Sequence, residues 1–325
     1  MSTIINIQQK QSEMEEQFLQ CLRDRDIPSR FSYWGKKEST GWLNVCSSND
    51  YSVYCKGEKM IKQYAESIVK SVMKVGIDYN FISLGIGNGV KDSYIIDSFL
   101  KELKKIKYFP IDISWDMVNE GVKNLRQKNL DIVAYVADFE DFHDISTRIR
   151  SSYASSHFIS ILGNTLGNFG QVEVLNNIRN GMVQNDYLLL EITMREQVGS
   201  KTKGENLTDI VGSYNNDDYK NFVFSPLEKV GFVKSDGVIE VEYGPNQFYP
   251  KLYSIELWFR LKKDKLVHYH GQEIVFKKDE RIRLYVSHKY TYENIRELLD
   301  GNGFQMCDFK VVEDNYGLIL CKPKS

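Results

Sequence analysis

Apolar and polar residues follow two different patterns in the middle of this chain. Between residues 76 and 194, short apolar runs alternate with stretches in which apolar residues recur every three or four positions. The first pattern predicts buried strands and the second predicts amphipathic helices. The predicted strands are residues 81–84, 108–111, 132–136, 158–162 and 187–193. Strands that alternate with helices favour an α/β fold with a doubly wound, Rossmann-like parallel sheet.

The segments on either side of this region have other periodicities. Residues 1–75 carry two apolar stripes at helical spacing, separated by an aromatic-rich loop, and predict an N-terminal helical segment. Residues 195–288 begin with a polar stretch and a helix from about Pro226, and then alternate from Gly237 onwards, which predicts an inserted antiparallel sheet. We expect these two segments to form one accessory domain, and residues 289–325 to complete the first sheet with one helix and two strands.

Three glycines at alternate positions follow the first predicted strand. Gly85, Gly87 and Gly89 lead directly into a helical pattern, with Asn88 and Lys91 beside them. Glycine is favoured where the backbone needs a positive φ or where a ligand approaches the main chain closely, and the helix N-terminus offers unpaired N–H groups. The turn therefore predicts a site for the polar part of a nucleotide-like cofactor. An ordinary strand-to-helix turn is the alternative, because the last glycine of the dinucleotide fingerprint is absent.

Polar residues also stand at the ends of the next three predicted strands. Asp112 ends the second strand, at the place where an acid about 20 residues past the glycines accepts hydrogen bonds from ribose hydroxyls. Asp138 and Phe139 end the third strand and suit an adenine, although a helix cap and a core ring are the alternative. Gly163 opens a polar loop after the fourth strand. Since parallel strands end at one edge of a sheet, we expect these residues to converge.

Four strings of residues at these strand ends resemble the histidine-specific methyltransferase family. They are Leu-Gly-Ile-Gly-Asn-Gly, Phe-Pro-Ile-Asp-Ile-Ser, Ala-Asp-Phe-Glu-Asp and, most specific of the four, Leu-Gly-Asn-Thr-Leu-Gly-Asn-Phe. The similarity covers roughly residues 30 to 322. It implies an enzyme of secondary metabolism, with residues 76–194 as the domain that binds S-adenosylmethionine (SAM). Such an enzyme transfers a methyl group from SAM to the α-amine of an amino acid.

The resemblance also assigns residues to the two halves of the site. Those implied for SAM are Gly85, Gly87, Asn88, Lys91, Asp112, Asp138, Phe139 and Gly163. Those implied for the acceptor are Tyr33, Asn168, Tyr214, Tyr285 and Ser287. An asparagine side chain both donates and accepts hydrogen bonds, which suits the two charged ends of an amino acid. No nucleophile and no dedicated base is expected, since methyl transfer depends on orientation and proximity. We expect the acceptor in the crevice between the domains.

One position departs from the family. An acid and a serine hold the imidazole of histidine in the family, and the corresponding residues here are Tyr285 and Ser287. A phenol supplies no carboxylate charge, so we expect free histidine to be a poor acceptor. Three alternatives stay open: a histidine N-alpha-methyltransferase proper, a nicotinamide-dependent oxidoreductase, since Asp112 suits either ribose, and a protein that holds SAM without turnover. Tyr51 matches another family tyrosine only loosely and is expected to pack.

Composition adds mainly exclusions. The 325 residues are 42% hydrophobic and 26% charged, with a formal net charge of −2, which gives no electrostatic case for nucleic acid or an anionic membrane. No apolar run is long enough to span a bilayer and no signal peptide is recognisable, so a cytosolic location is expected. The scattered cysteines predict free thiols. His268 and His270 are expected on one face of a strand, without the further ligands that a metal site needs. The sequence leaves the oligomeric state open.

Overall fold

The chain divides into two compact units in the computed structural model. The structure describes residues 2–7, 11–48, 50–74, 77–103, 105–128, 130–195, 205–246, 252–312 and 315–325. One unit, here the sheet unit, comprises Met1–Gln8, Val53–Lys201 and Tyr290–Ser325. The other, the accessory unit, comprises Gln9–Ser52 and Thr202–Lys289.

Strands and helices are numbered in chain order. The strands are β1 (Ser2–Asn6), β2 (Tyr79–Leu84), β3 (Lys107–Asp112), β4 (Asp131–Val136), β5 (Ser156–Ile161), β6 (Tyr187–Thr193), β7 (Gly237–Pro245), β8 (Tyr253–Leu261), β9 (Lys265–Tyr269), β10 (Gln272–Phe276), β11 (Arg281–Lys289), β12 (Phe304–Val312) and β13 (Tyr316–Pro323). The helices are α1 (Gln11–Asp24), α2 (Lys36–Ser47), α3 (Ser52–Val72), α4 (Val90–Glu102), α5 (Trp115–Leu125), α6 (Phe142–Ser152), α7 (Gln171–Asn180), α8 (Glu205–Tyr214), α9 (Asp217–Lys229) and α10 (Tyr292–Gly301).

The sheet unit is built on one mixed sheet in the order β1-β4-β3-β2-β5-β6-β13-β12. Strands β1 to β6 pair in parallel, while β13 runs antiparallel to both β6 and β12. The strand order reverses on either side of β2, which makes the edge beyond β2 and β5 the topological switch point where doubly wound sheets bind ligands. All residues of β2 are buried, as expected for a parallel strand covered on both faces. This sheet confirms the predicted fold class.

A buried carboxylate ties three neighbouring elements of this unit together. Asp186 is fully buried just before β6. Its oxygens accept hydrogen bonds from the N–H groups of His157 on β5 at 2.7 Å and Val183 at 2.8 Å, and Arg150 on α6 donates to it at 2.6 Å. Such a residue is expected to matter for stability because its removal leaves several buried donors unpaired.

The accessory unit contains a three-stranded antiparallel sheet in the order β11-β8-β7 and a separate β9-β10 hairpin. His268 and His270 were expected on one face of a single strand in this segment. His270 and Gly271 form its two-residue turn with φ of 54° and 71°, as in the turns that match strand twist. The prediction that His268 and His270 share a strand face is therefore wrong, because His270 is in the turn, where its Nε2 lies 2.7 Å from Glu15.

The N-terminal segment is less uniformly helical than predicted. Residues 2–6 form β1, which pairs in parallel with β4 at the sheet edge, and the expected aromatic loop contains the helix α2. Helix α3 was predicted to join the accessory domain but groups with the sheet unit. Two residues of α3 accept hydrogen bonds from that unit. The Glu58 side chain accepts from Tyr94 at 2.9 Å, and the Val72 carbonyl accepts from Tyr79 at 2.8 Å.

The prediction of a helix from about Pro226 is also wrong. Helix α9 begins at Asp217, where the Asn216 side chain accepts the N–H of Tyr219 at 2.8 Å as a cap. Pro226 lies inside the helix and cannot donate to the carbonyl of Phe222. The hydroxyl of Ser225 donates to that carbonyl instead, at 2.7 Å, so the helix continues through the proline.

We expect Asp186→Ala to lower the free energy of unfolding by about 3–5 kcal/mol, the cost of breaking a buried charged network. Urea denaturation followed by circular dichroism measures the effect. Asp131→Ala is the matched control, because the exposed Asp131 lies 3.9 Å from Lys107 and surface pairs contribute about 1 kcal/mol or less. Equal losses in the two variants would contradict the role of Asp186.

Candidate functional site

The glycine turn after β2 adopts the backbone that its sequence requires. Gly85, Gly87 and Gly89 have φ of 85°, 53° and 74°, which residues with a Cβ rarely adopt. The N–H of Gly85 donates to the carbonyl of Ile111 on β3 at 2.8 Å, which fastens the turn to the neighbouring strand. Gly89 caps α4, so the helix N-terminus opens directly from the turn.

Asp112 at the end of β3 lies against this turn. Its carboxylate accepts hydrogen bonds from the N–H groups of Ser114 at 3.0 Å and Gly87 at 3.4 Å, and the residue is buried. Burial raises the pKa of the Asp112 carboxyl to about 6, and hydrogen bonds from the N–H groups of Ser114, Gly87 and Ile113 act in the opposite direction. A carboxylate accepts about four hydrogen bonds in all, so Asp112 keeps capacity for a hydroxyl donor.

Phe139 forms a flat wall beside the same turn. A Cβ built on Gly85 would lie 3.4 Å from the Cζ atom of Phe139, and the Phe139 ring centroid lies 5.4 Å from that of Phe169. The partly exposed Asp138 comes immediately before Phe139, after β4. Residues that the sequence assigned to SAM from three different strand ends therefore share one edge of the sheet.

Lys91 forms an ion pair that the sequence did not predict. Its Nζ lies 2.6 Å and 2.8 Å from the two carboxylate oxygens of Glu191 on β6, and both residues are buried. Glu191 also accepts the N–H of Gly163 at 2.7 Å. The pair thus joins α4 to β6 and to the loop after β5. The sequence did contain a signal for this pair: Glu191 is a single acid inside the otherwise apolar run 187–193, and a buried charge is expected to have a partner.

Asn88 is held by a residue of α3. The hydroxyl of Tyr54 and the side-chain amide of Asn88 approach within 2.7 Å, and the Asn88 oxygen also accepts the N–H of Val90 at 3.1 Å. Lys91 lies 5.0 Å from the centroid of the Tyr54 ring. Tyr54 therefore supports two of the predicted SAM residues, a function that no sequence signal indicated.

The loop after β5 begins with two residues of positive φ, Gly163 at 76° and Asn164 at 57°. The Asn164 side chain accepts the N–H of Thr193 at 2.7 Å, which stabilises this unusual backbone from within the sheet. A short turn over Thr165–Asn168 follows, and Asn168 is half-buried at its end. Asn168 is thus carried by a loop that two buried side chains, Asn164 and Glu191, hold in place.

Three of the predicted acceptor residues come together within the accessory unit. Tyr214 ends α8, and its hydroxyl lies 3.0 Å from the Oγ atom of Ser287 on β11. The ring centroids of Tyr214 and Tyr285 are 6.2 Å apart. Alternation along β11 places Tyr285 and Ser287 on one face, and all three residues are buried.

Further aromatic rings pack around this group. Tyr51 lies 5.8 Å from Tyr214 and hydrogen-bonds to it, and Tyr219 lies 5.4 Å from Tyr285. We call the group of Tyr51, Tyr214, Tyr219 and Tyr285 the tyrosine cluster. Tyr33 is more distant, since its ring contacts those of Trp42 at 5.6 Å and Phe222 at 5.1 Å. Tyr51 thus packs as expected and also joins the polar network.

Lys289 lies beside the tyrosine cluster and was missed by the sequence reasoning. Its Nζ donates to Ser287 at 2.7 Å and to Tyr214 at 3.0 Å, and the residue is fully buried. Burial lowers the pKa of Lys289. Burial raises the pKa of the Tyr214 hydroxyl, but the charge and hydrogen bond of Lys289 outweigh this, so that pKa lies below its usual value. The two-residue spacing from Tyr285 through Ser287 to Lys289 could have placed Lys289 in this group, because residues at that spacing share one face of a strand.

Neither a metal-binding cluster nor a membrane-crossing helix is found in the described part of the chain. Among those residues, no group of three or more His, Cys, Asp or Glu side chains is arranged to hold a metal ion. No helix in the same ranges is long and apolar enough to cross a membrane.

Comparison with known proteins gives one family and several distant relatives. A model of the family described as "Histidine-specific methyltransferase, SAM-dependent" matches residues 14–323. The N-methyltransferase fsqC of Aspergillus fumigatus is 22% identical over 311 residues, covering 92% of this chain and 81% of fsqC. Ergothioneine biosynthesis protein 1 of Schizosaccharomyces pombe is 23% identical over 168 residues, which span 50% of this chain but only 22% of that protein.

Solved structures are similar at low identity. The PH0226 protein from Pyrococcus horikoshii OT3 is 13% identical, covers 86% of this chain and 93% of its own, and has a TM-score of 0.47. An S-adenosylmethionine-dependent methyltransferase from Clostridium acetobutylicum ATCC 824 is 12% identical, covers 81% of this chain and 92% of its own, and has a TM-score of 0.42.

The packing around the buried ion pair gives a test. A Cβ on Gly57 of α3 would lie 1.9 Å from a carboxylate oxygen of Glu191 and 2.7 Å from the Nζ of Lys91. We expect Gly57→Ala to push the pair apart and to lower the free energy of unfolding by about 1–3 kcal/mol, as overpacking does. Thermal or urea denaturation measures this change.

Gly212→Ala is the control for Gly57→Ala. Gly212 lies in α8, and a Cβ there meets no atom within 4 Å, so alanine is expected to be neutral or slightly stabilising. Destabilisation of the control by the same amount would show that the loss comes from the helix backbone and not from the ion pair.

Proposed function

Because the chain belongs to the family of histidine-specific, SAM-dependent methyltransferases, we propose that its acceptor is the amino group of an amino acid or of a small molecule derived from one. The family makes the protein a SAM-dependent enzyme, and the nicotinamide alternative is set aside. The name of fsqC, an N-methyltransferase, supports nitrogen as the methylated atom. The scattered free cysteines support a cytosolic location as part of the proposal.

The observation that carries the proposal is the assembly of Tyr214, Tyr285 and Ser287 in one buried group. These residues are far apart in sequence, yet the Tyr214 and Ser287 oxygens are 3.0 Å apart. They occupy the positions that the family resemblance assigns to the acceptor. Their hydroxyls offer hydrogen bonds in an apolar surrounding, where such bonds discriminate strongly between ligands.

The strand ends of the sheet unit fit the cofactor. Asp112 would accept a hydrogen bond from a ribose hydroxyl, and Phe139 would cover a face of the adenine with Asp138 at its amine. Gly85 and Gly87, both with positive φ, allow a ligand to approach the main chain closely. We assign Lys91, Asn88 and Gly163 to the same half, with Lys91 acting through Glu191 on the Gly163 loop. SAM supplies a methyl group activated by a positively charged sulfonium.

The residues of this chain contribute orientation and exclusion of water, not a nucleophile. We assign Asn168 to the α-amino-acid end of the acceptor, where its amide both donates and accepts, with Tyr33 and Tyr214 as hydroxyl donors. Tyr285 and Ser287 contact the side-chain end. The amine needs a free lone pair and a fixed approach to the methyl carbon, and correct positioning accounts for much of such a rate enhancement.

Transfer of label from radioactive SAM to a panel of amino acids tests the proposal. Incorporation into at least one free amino acid or simple derivative, with the label on nitrogen, is the expected result. We propose that histidine is a weak acceptor in this panel, with efficient turnover of histidine as the competing outcome. SAM binding without transfer to any member of the panel would favour a protein that holds SAM without turnover.

We expect Asp112→Ala to weaken SAM binding by at least about tenfold, since hydrogen bonds to a charged group contribute about 1.5–3 kcal/mol each. In the unmodified protein, affinity should fall as the pH drops through about 6, because the carboxyl with that raised pKa then becomes protonated and accepts hydrogen bonds less well. Asp112→Asn should lose this pH dependence. Calorimetric titration between about pH 5 and about pH 8 measures both effects, and an unchanged affinity in Asp112→Ala would refute the assignment.

Asn168→Ala should affect the other half of the site. We expect SAM affinity to change little and the transfer rate to fall by about a hundredfold or more, because the acceptor loses its fixed orientation. Parallel measurement of SAM binding and single-turnover transfer separates the two effects. Loss of SAM affinity with transfer retained at saturating SAM would place Asn168 in the cofactor half instead.

A further inference from the structure

Lys289 carries a buried positive charge without a negative partner in the described residues. Its ammonium has three donors, and the structure gives it two hydroxyl acceptors, Ser287 at 2.7 Å and Tyr214 at 3.0 Å. No carboxylate within the described ranges forms an ion pair with it. Hydroxyl groups compensate a buried ammonium less well than a carboxylate does. The charge therefore disfavours the empty protein and needs another explanation.

Tyr219 supplies a second, independent observation. It is fully buried in the tyrosine cluster, yet its hydroxyl has no hydrogen-bond partner among the residues that the structure describes. Burial raises the pKa of Tyr219 well above its usual value, so this hydroxyl stays protonated and is a donor. Orphaned buried hydroxyls are costly and are typical of ligand sites.

The two unsatisfied donors belong to residues that both pack against the Tyr214 ring. The Tyr214 ring centroid lies 4.8 Å from the Tyr219 ring centroid and 4.8 Å from the Nζ of Lys289. Ser287, on the same strand face as Lys289, is the position that the family resemblance gives to the acceptor's side-chain end. With Tyr285 in place of the family's acid, the described residues of this group provide one positive charge and several hydroxyls, and no carboxylate among them pairs with that charge.

We propose that Lys289 and Tyr219 bind an anionic group at the side-chain end of the acceptor, so that the enzyme selects amines of the amino-acid class whose side chain ends in a carboxylate. This inference rests on the proposed function, since it takes this group of residues as the acceptor site. A carboxylate provides several lone pairs for the third ammonium donor and for the Tyr219 hydroxyl. An imidazole, neutral or cationic, provides no negative charge and too few hydrogen-bond acceptors for both donors. The surrounding rings favour an aromatic spacer in the side chain.

Matched acid and amide ligands test this selectivity directly. 4-Carboxy-L-phenylalanine and 4-carbamoyl-L-phenylalanine differ only at the terminal group, as do L-glutamate and L-glutamine. We expect calorimetry on protein saturated with S-adenosylhomocysteine to show the acid of at least one pair binding about tenfold or more tightly than its amide. Lys289→Met should reduce this ratio to about one, and Tyr219→Phe should reduce it severalfold.

Two further variants separate charge from packing. Lys289→Arg keeps the charge and should retain most of the preference for the acid. Tyr285→Glu introduces a carboxylate on the strand face that carries Lys289 and should lower the preference for the acid while improving the binding of histidine. Tyr219→Phe removes only an unpaired hydroxyl, so it remains a test of the proposal even if a variant at Lys289 fails to fold.

The stability of the ligand-free protein distinguishes a ligand-binding lysine from a structural one, because the two predict opposite changes in the melting temperature. We expect Lys289→Met to raise the melting temperature, because an unpaired buried charge is removed. A clear fall would show that Lys289 stabilises the empty fold and would count against the proposal.

Equal binding of acid and amide overturns the inference, and it is the outcome expected if Lys289 holds the α-carboxylate, which both ligands share. A preference that survives Lys289→Met, or no binding of any pair, overturns it as well. Preferential binding of the acid without methyl transfer to it would leave the binding inference standing and contradict the proposed function instead.

Discussion

The buried pair of Lys91 and Glu191 is the contact on which the ligand-binding edge of the sheet depends. Within hydrogen-bond distance it joins the helix after the glycine turn, the strand β6 and the N–H of Gly163. The charge of each partner is costly to bury alone, and neither can be removed without leaving the other unpaired. One electrostatic contact therefore helps to hold both the loop that carries Asn168 and the helix that follows the glycine turn. The space beside α3 is closed to any side chain larger than glycine at position 57.

The parallel sheet was predictable from the sequence because each of its strands is a local feature. Buried parallel strands such as 187–193 are continuous apolar runs, and helix starts such as Ser114, which accepts the N–H of Met117 at 3.2 Å, use local capping chemistry. The prediction was wrong where tertiary contacts determine whether an element forms or how far it extends. β1 forms only because β4 offers it an edge, and α9 continues through Pro226 because a serine hydroxyl replaces the missing donor.

In the candidate site, too, some residues were predictable from the sequence and others depend on tertiary contacts. Residues at strand ends, such as Asp112 and Phe139, were predictable because topology alone brings strand ends together. Glu191 and Lys289 were not singled out, because a charged residue in a strand is ordinarily interpreted as solvent-facing. Only the structure shows that both are buried and what each of them contacts. The cluster around Tyr214 likewise depends on long-range ring contacts, such as that with Tyr219 at 4.8 Å, which no local pattern encodes.

Lys91 and Lys289 are both buried, but they differ in how the chain compensates their charge. Lys91 has a carboxylate at 2.6 Å, so its charge is compensated whether or not a ligand is present, and the contact serves to hold backbone in place. Among the described residues, Lys289 has as partners the hydroxyls of Ser287 and Tyr214, so its charge is incompletely compensated. A protein retains an incompletely compensated charge at a cost in stability, and binding sites are where such a cost brings a gain. A ligand that supplies the missing negative charge gains interaction energy that the folded chain leaves unused. Burial alone therefore does not distinguish the two lysines. The presence or absence of a compensating carboxylate distinguishes a structural ion pair from a ligand-binding site.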